Sequence, residues 1–153
     1  MDFKVKAIEV LEEALLGEFI SHYSVGDTWS LCFGQYWLSC QNIISEEEFF
    51  LDKLISENYA LANSTVDQEF IAKSVVVSSN MRRTVSKLSL DAKSNLKIEF
   101  ESGNSITIPS NEDVVDWQWC INESGSDPYL EYLIACFWEG EIKLDVNQHK
   151  NKK

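Results

Sequence analysis

The 153-residue sequence has little glycine, proline or histidine: six Gly, two Pro and two His. A shortage of Gly and Pro excludes a flexible linker protein and a collagen-like repeat, because both need these residues in quantity. Hydrophobic residues make up 44% of the chain, which is enough to build a core at this length. The composition therefore predicts one globular domain, extending over residues 1–148, with a frayed basic tail at 149–153.

Long apolar runs are also absent. No stretch approaches the roughly 18 apolar residues that cross a bilayer as a helix, and the longest, residues 133–138, fits a buried strand. Glu9, Glu12 and Glu13 interrupt the region where a signal peptide needs an unbroken apolar segment. We expect the protein to act in the cytoplasm; a partner associated with the inner membrane stays an open alternative.

The motifs of common enzymes are missing: the sequence has no P-loop, dinucleotide-binding glycine pattern, zincin HExxH or nucleophile elbow. The sharpest catalytic hypothesis pairs Cys32 or Cys40 as nucleophile with His22 as base, but nothing in the spacing favours that pair. With 25 acidic residues, close carboxylates arise by abundance alone, and no EF-hand spacing occurs. We therefore predict no catalytic residue, no metal and no cofactor.

The cysteines do not follow a metal-binding or redox pattern. Cys32, Cys40, Cys120 and Cys136 form no C-x-x-C pair and have no histidine at ligand spacing. Two disulfides would fit a secreted protein, for which there is no signal. Because each cysteine has strand-like apolar neighbours, we expect four buried free thiols.

Positive charge is scarce and unevenly placed. The formal net charge is −12, and residues 98–142 contain no Lys or Arg at all. Such a field repels nucleic acid and anionic membranes and attracts cationic partners. We expect a protein partner, and no nucleic-acid, membrane or small-molecule ligand.

Helical periodicity occurs in three places. Residues 4–16 form an amphipathic pattern that Gly17 ends. A second helix is predicted from Ser45, whose spacing to Glu48 is that of a capping box. Its expected buried stripe is Phe50, Leu54 and Ile55. A third is predicted from residue 64, weakening at the β-branched run 75–77.

Alternating apolar residues predict strands in the rest of the chain. The clearest are two hairpins, one over 29–40 around Gly34 and one over 96–108 around Gly103. Further strands are expected at 84–90, 117–121, 132–138 and 142–146. The fold class predicted is α+β: a single domain with a mainly antiparallel sheet built from hairpins, and two to three helices packed on it.

The acids in the stretch without bases have two interpretations, a solvated face that maintains solubility or a docking surface for a basic partner. A face selected only for solubility usually mixes signs, so docking is favoured. The candidate partner-binding residues are Glu112, Asp113, Asp116, Glu123, Asp127 and Glu131.

Tryptophan positions divide into two groups. Trp29, Trp117 and Trp119 fit inward-facing strand positions, so core packing is expected for them. Trp37 is out of phase with its neighbours Tyr36 and Leu38. We expect it on the opposite face of the strand, against a helix or a partner.

The segment 95–108 followed by Asp116-Trp117-Gln118-Trp119, and the segment 29–34 with Leu38 after it, resemble immunity proteins of bacterial contact-dependent growth inhibition and polymorphic-toxin systems. This resemblance implies an acidic, cytoplasmic, non-enzymatic protein that neutralises one cognate toxin domain. It transfers no site residues to this chain. An acidic surface covering a basic nuclease is the function we expect, with an acidic adaptor or secretion chaperone as the first alternative and a small carboxylate-dependent hydrolase as the second.

Overall fold

A computed structural model of the chain describes residues 3–59, 68–114 and 116–145. Within them, the chain forms three α-helices and nine strands. The helices are α1 (Phe3–Leu15), α2 (Glu48–Asn58) and α3 (Gln68–Asn80). The strands are β1 (Ile20–Val25), β2 (Trp29–Phe33), β3 (Tyr36–Cys40), β4 (Val85–Leu90), β5 (Leu96–Phe100), β6 (Ser105–Ile108), β7 (Trp117–Asn122), β8 (Ile134–Phe137) and β9 (Glu141–Leu144).

The strands form two antiparallel sheets. A six-stranded sheet has the order β1-β2-β3-β7-β8-β9, and a three-stranded sheet has the order β4-β5-β6. Buried residues of both sheets, together with those of α1 and α3, belong to one hydrophobic cluster. The predicted α+β class is therefore confirmed, and the strands divide between two sheets that share a core.

Helix α1 follows its sequence pattern. It buries Ala7, Val10, Leu11, Ala14 and Leu15 and packs against β4 and β8. Gly17 then takes a positive φ of 79°, a conformation that glycine adopts without the steric cost of a Cβ. The chain can thus turn directly from α1 into the first sheet.

The two predicted hairpins are both present. Strands β2 and β3 pair from Phe33↔Tyr36 to Trp29↔Cys40, and β5 pairs with β6. Strand β4 carries a register shift between Val85 and Lys87, which explains why its apolar residues are out of phase in the sequence. Strand β8 is shorter than predicted: it begins at Ile134, and it ends at Phe137 because residues 138–140 form a turn of 3₁₀-helix.

The prediction for α2 is wrong in two respects. The helix begins at Glu48, and the Ser45 hydroxyl bonds Glu47 instead of capping the helix. The expected buried stripe is not buried: Phe50 is 64% exposed, Leu54 is 45% exposed and Ile55 is half-buried. Spacing identifies residues that share a helix face, but α2 packs chiefly on α3, so that face does not reach the core.

Helix α3 continues to Asn80 through the β-branched run. Val76 and Val77 are buried in the core, so packing outweighs the weak helical propensity of valine. The predicted start of this helix at residue 64, Val146 and the predicted tail at 149–153 lie outside the described residues. In the part of the chain that the structure describes, no helix is both long and apolar enough to cross a membrane.

Candidate partner-binding surface

Strand β7 is buried on both faces. Trp119 and Ile121 belong to the hydrophobic core, whereas the alternate residues Gln118, Cys120 and Asn122 point to the other face of the six-stranded sheet and are buried as well. Their burial has a local cause, because the loops before and after β7 fold back over this outer face. The polar side chains of β7 hold both loops in place.

Gln118 fixes the loop that precedes β7. Its side-chain oxygen accepts a hydrogen bond of 2.8 Å from the backbone N–H of Glu112, and its Nε2 donates one of 2.8 Å to the carbonyl of Val114. Both ends of one buried amide are therefore satisfied by the same loop.

Asn122 fixes the loop that follows β7 in the same way. Its Nδ2 donates to the carbonyl of Ser126 at 2.8 Å and to that of Glu131 at 3.3 Å. Its Oδ1 accepts from the backbone N–H of Gly125 at 2.8 Å. The loop is thereby held against the sheet along most of its length.

Trp37 lies beneath the second loop. It pairs with Asn122 across β3 and β7, so its ring is on the outer face, and its edge contacts the ring of His22 at 4.8 Å between centroids. Gly125 lies so close above it that a Cβ there would be 3.0 Å from the indole. The prediction that Trp37 faces away from its neighbours is confirmed, and the covering element is a loop of the same chain. Trp29, Trp117 and Trp119 are buried as predicted.

The two loops meet at Tyr129. A hydrogen bond to the Asp116 carboxylate, with a smaller contribution from desolvation and the charges of Asp116 and Asp127, raises the pKa of the Tyr129 hydroxyl to about 12. Asp116 comes from the loop before β7 and Asp127 from the loop after it. Tyr129 thus brings together acids that the strand separates in sequence.

Exposed apolar side chains lie among these acids. Tyr129 is 62% exposed and Leu130, the next residue, is 86% exposed. We call the set Asp116, Asp127, Tyr129, Leu130 and Glu131 the acidic loop surface. Sequence analysis missed Tyr129 and Leu130; the signal available was an apolar pair directly after Pro128 in an otherwise acidic loop.

The remaining candidate acids are distributed around this surface. Asp113 is exposed in the first loop, and Glu123 is exposed where β7 ends. Glu112 lies elsewhere. Its side chain lines a cavity of about 190 Å³ together with Trp29, Phe70 and Lys73.

Lys73 is the buried cation of that cavity, with only 4% of its surface exposed. Its ammonium group donates to the Ile43 carbonyl and to the Glu48 carboxylate, at 2.8 Å to the latter. The first turn of α2 is thus tied to the middle of α3. The sequence pattern assigned Glu48 to a capping box, but its side chain pairs with Lys73 instead.

The cysteines are free and buried, as predicted. Burial raises the pKa of the Cys40 thiol and brings those of Cys120 and Cys136 to about 12. Cys40 belongs to the core face, whereas His22 pairs with Cys32 on the other face, so His22 and Cys40 are on opposite sides of the sheet. Among residues 3–59, 68–114 and 116–145, no group of three or more His, Cys, Asp or Glu side chains is arranged to hold a metal ion.

Comparison of the chain with protein-family models, with curated proteins and with solved structures found no match.

Proposed function

We propose that this protein is an immunity-type inhibitor that neutralises a basic toxin domain, such as a nuclease, through the acidic loop surface. The observation that supports it most is that Gln118 and Asn122 hold the loops before and after β7 over the same face of the sheet. These loops carry Asp116, Asp127 and Glu131 together with the exposed side chains of Tyr129 and Leu130, inside a stretch of 45 residues (98–142) that has no Lys or Arg.

The charge of this surface fits a cationic partner. A nuclease must bind phosphates and so presents a basic cleft, which an acidic inhibitor approaches under electrostatic steering. The same charge disfavours nucleic acid and anionic membranes as direct partners.

The exposed side chains of Tyr129 and Leu130 supply the apolar contacts of a protein interface, in addition to its charges. Aromatic and aliphatic anchors at the centre of an interface commonly carry most of its binding energy, with charged residues at the rim. The hydrogen bonds from Gln118 and Asn122 hold the loops in advance, so less ordering entropy opposes binding.

The test begins with the partner. The chain is co-expressed with the product of the adjacent upstream reading frame of the producing cell, and complexes are captured from that cell. We expect one-to-one capture of a toxic domain and rescue of growth. If no toxic domain is captured and growth is not rescued, the immunity function is contradicted.

The site is tested with two triple charge reversals of equal net change. The first places Lys at Asp127 and Glu131 of the acidic loop surface and at Asp113, which is exposed in the loop before β7. The control places Lys at Glu9, Glu12 and Glu57, which are exposed on α1 and α2. The first variant should slow association with the captured partner by about tenfold or more and remove most of its salt dependence.

The control variant distinguishes the effect of charge at the acidic loop surface from the effect of the protein's net charge. Equal slowing by both variants would show that the overall charge matters and not the acidic loop surface. No slowing by either would place the interface elsewhere on the protein.

A further inference from the structure

A second cavity lies between the first turn of α2, the last turns of α3 and the turn joining β5 to β6. Its volume is about 270 Å³, and Glu47, Phe50, Leu51, Val76 and Asn80 are among the residues that line it. Pockets for drug-sized ligands span roughly 300–1,000 Å³, so this groove suits a single side chain better than a cofactor.

Asn80 supplies an acceptor that lacks a donor. The residue is only 3% exposed, and its Nδ2 donates to the Val76 carbonyl at 2.8 Å. Its Oδ1, also buried, accepts no hydrogen bond from any described residue. Buried side-chain oxygens are nearly always hydrogen-bonded, so the residues lining this groove include an acceptor that a donating ligand would satisfy.

The charges around the groove favour a cationic donor. Glu47 is the ionisable side chain among the described residues that line it. Asn80 ends α3, whose last turn contains no basic residue, and the C-terminus of a helix carries partial negative charge. The N-terminus of α2 opposes this with partial positive charge, but the full charge of Glu47 exceeds that of a helix end.

The apolar walls narrow the choice of cation. Phe50 exposes most of its ring, and Leu51 and Val76 line the groove beside it. An arginine side chain has an apolar stem, a planar cation that stacks on aromatic rings, and several N–H donors in one plane. It therefore offers an apolar stem to the walls and N–H donors to the Asn80 oxygen and the Glu47 carboxylate.

We propose that this groove binds an arginine side chain presented by a protein partner. The inference rests on α2 and α3 and does not depend on the acidic loop surface or on the identity of a toxin. The groove and the acidic loop surface are thus two separate binding surfaces, each with its own test.

The probe is N-acetyl-arginine amide, titrated into the isotope-labelled protein and followed by NMR. The reporters are the Asn80 side-chain amide and the methyl groups of Leu51 and Val76. Two analogues serve as controls: the citrulline amide, which keeps the shape and three of the five N–H donors but is neutral, and the norleucine amide, which keeps only an apolar stem. Glu47→Gln removes the charge in the groove, and Glu46→Gln removes the charge next to it, outside the groove.

We expect arginine amide to shift all three reporters with millimolar affinity, an order typical of one side chain. Citrulline amide and the Glu47→Gln variant should each weaken binding by about fivefold or more, and Glu46→Gln by less than about twofold. Equal binding of norleucine amide would overturn the proposal, because the groove would then be merely apolar. So would equal effects of the two Glu→Gln variants, or reporters that do not move.

Discussion

The carboxylate of Asp116 lies near the hydroxyl of Tyr129 and raises its pKa, so the loop that enters β7 approaches the loop that leaves it. The described residues of both loops form no helix or strand. Each is held instead by a buried amide of β7, Gln118 for the first loop and Asn122 for the second. The acidic loop surface is therefore organised by the strand beneath it.

The first prediction concerns the Tyr129 hydroxyl. Its pKa is raised to about 12 from an ordinary value of 10.0 because it donates to Asp116. In Asp116→Asn the neighbouring charge is lost, so the pKa should fall toward 10. The measurement is an NMR titration of ¹³C-labelled tyrosine, with Tyr129→Phe to assign the resonance.

Asp113→Asn is the matched control for this titration, because it removes the same charge from the same loop. It should leave the pKa of Tyr129 near that of the parent protein. A parent pKa close to 10, or equal shifts in the two variants, would contradict the contact.

The second prediction concerns Gly125, which has a φ of 75° and lies against the Trp37 ring. Gly125→Ala adds left-handed strain of about 1–2 kcal/mol and a clash with the indole. Gly103→Ala has comparable strain, with a φ of 93°, but no atom within 4 Å of the new Cβ. Urea unfolding should show the larger loss of stability for Gly125→Ala; equal losses would mean that the loop does not pack on Trp37.

The third prediction concerns the buried ion pair of Lys73 and Glu48. Glu48→Gln removes the Glu48 carboxylate from the buried ammonium group of Lys73, and we expect a loss of about 2–3 kcal/mol in the free energy of unfolding. Glu46→Gln, at an exposed position, should change it by less than about 0.5 kcal/mol.

A double variant tests the same ion pair in a second way. Replacing both Lys73 and Glu48 with Met removes both buried charges, so it should recover much of the stability lost in Glu48→Gln. Chemical denaturation of all variants provides the measurement. A double variant less stable than Glu48→Gln would show that the ion pair contributes more than its own desolvation costs.

The fourth prediction concerns pH. The thiols of Cys120 and Cys136 have a pKa of about 12 in the folded protein, compared with an ordinary value of 9.0. Between pH 9 and about pH 12 the unfolded chain releases thiol protons that the folded chain keeps. The free energy of unfolding therefore has its full contribution from these thiols below pH 9, and this contribution falls as the pH rises. Each thiol contributes a slope of up to about 1.4 kcal/mol per pH unit.

The measurement is urea unfolding between pH 8 and about 10.5 under reducing conditions. The Cys120→Ala/Cys136→Ala variant loses packing and should be less stable at every pH, but its stability should fall less steeply above pH 9. Parallel curves for the two proteins would contradict the burial of these thiols.

Local sequence patterns determined several elements of this protein. The period of 3.6 residues that ends at Gly17 predicted α1, and the alternation around Gly34 and Gly103 predicted both hairpins. These predictions are confirmed because each element buries one face whose pattern follows directly from its own backbone geometry. The burial of four cysteines and three of the tryptophans followed from the same alternation.

The tertiary structure determined which neighbouring element each helix or strand face packs against. Spacing placed Phe50, Leu54 and Ile55 together on α2, but only the packing of α2 on α3 shows that the core lies elsewhere. The sequence also placed acids on both sides of β7 without showing that they converge. Their meeting at Tyr129 depends on Gln118 and Asn122, whose hydrogen bonds fold each loop back over a face of the strand, and such contacts between separate segments leave no periodic signal in the sequence.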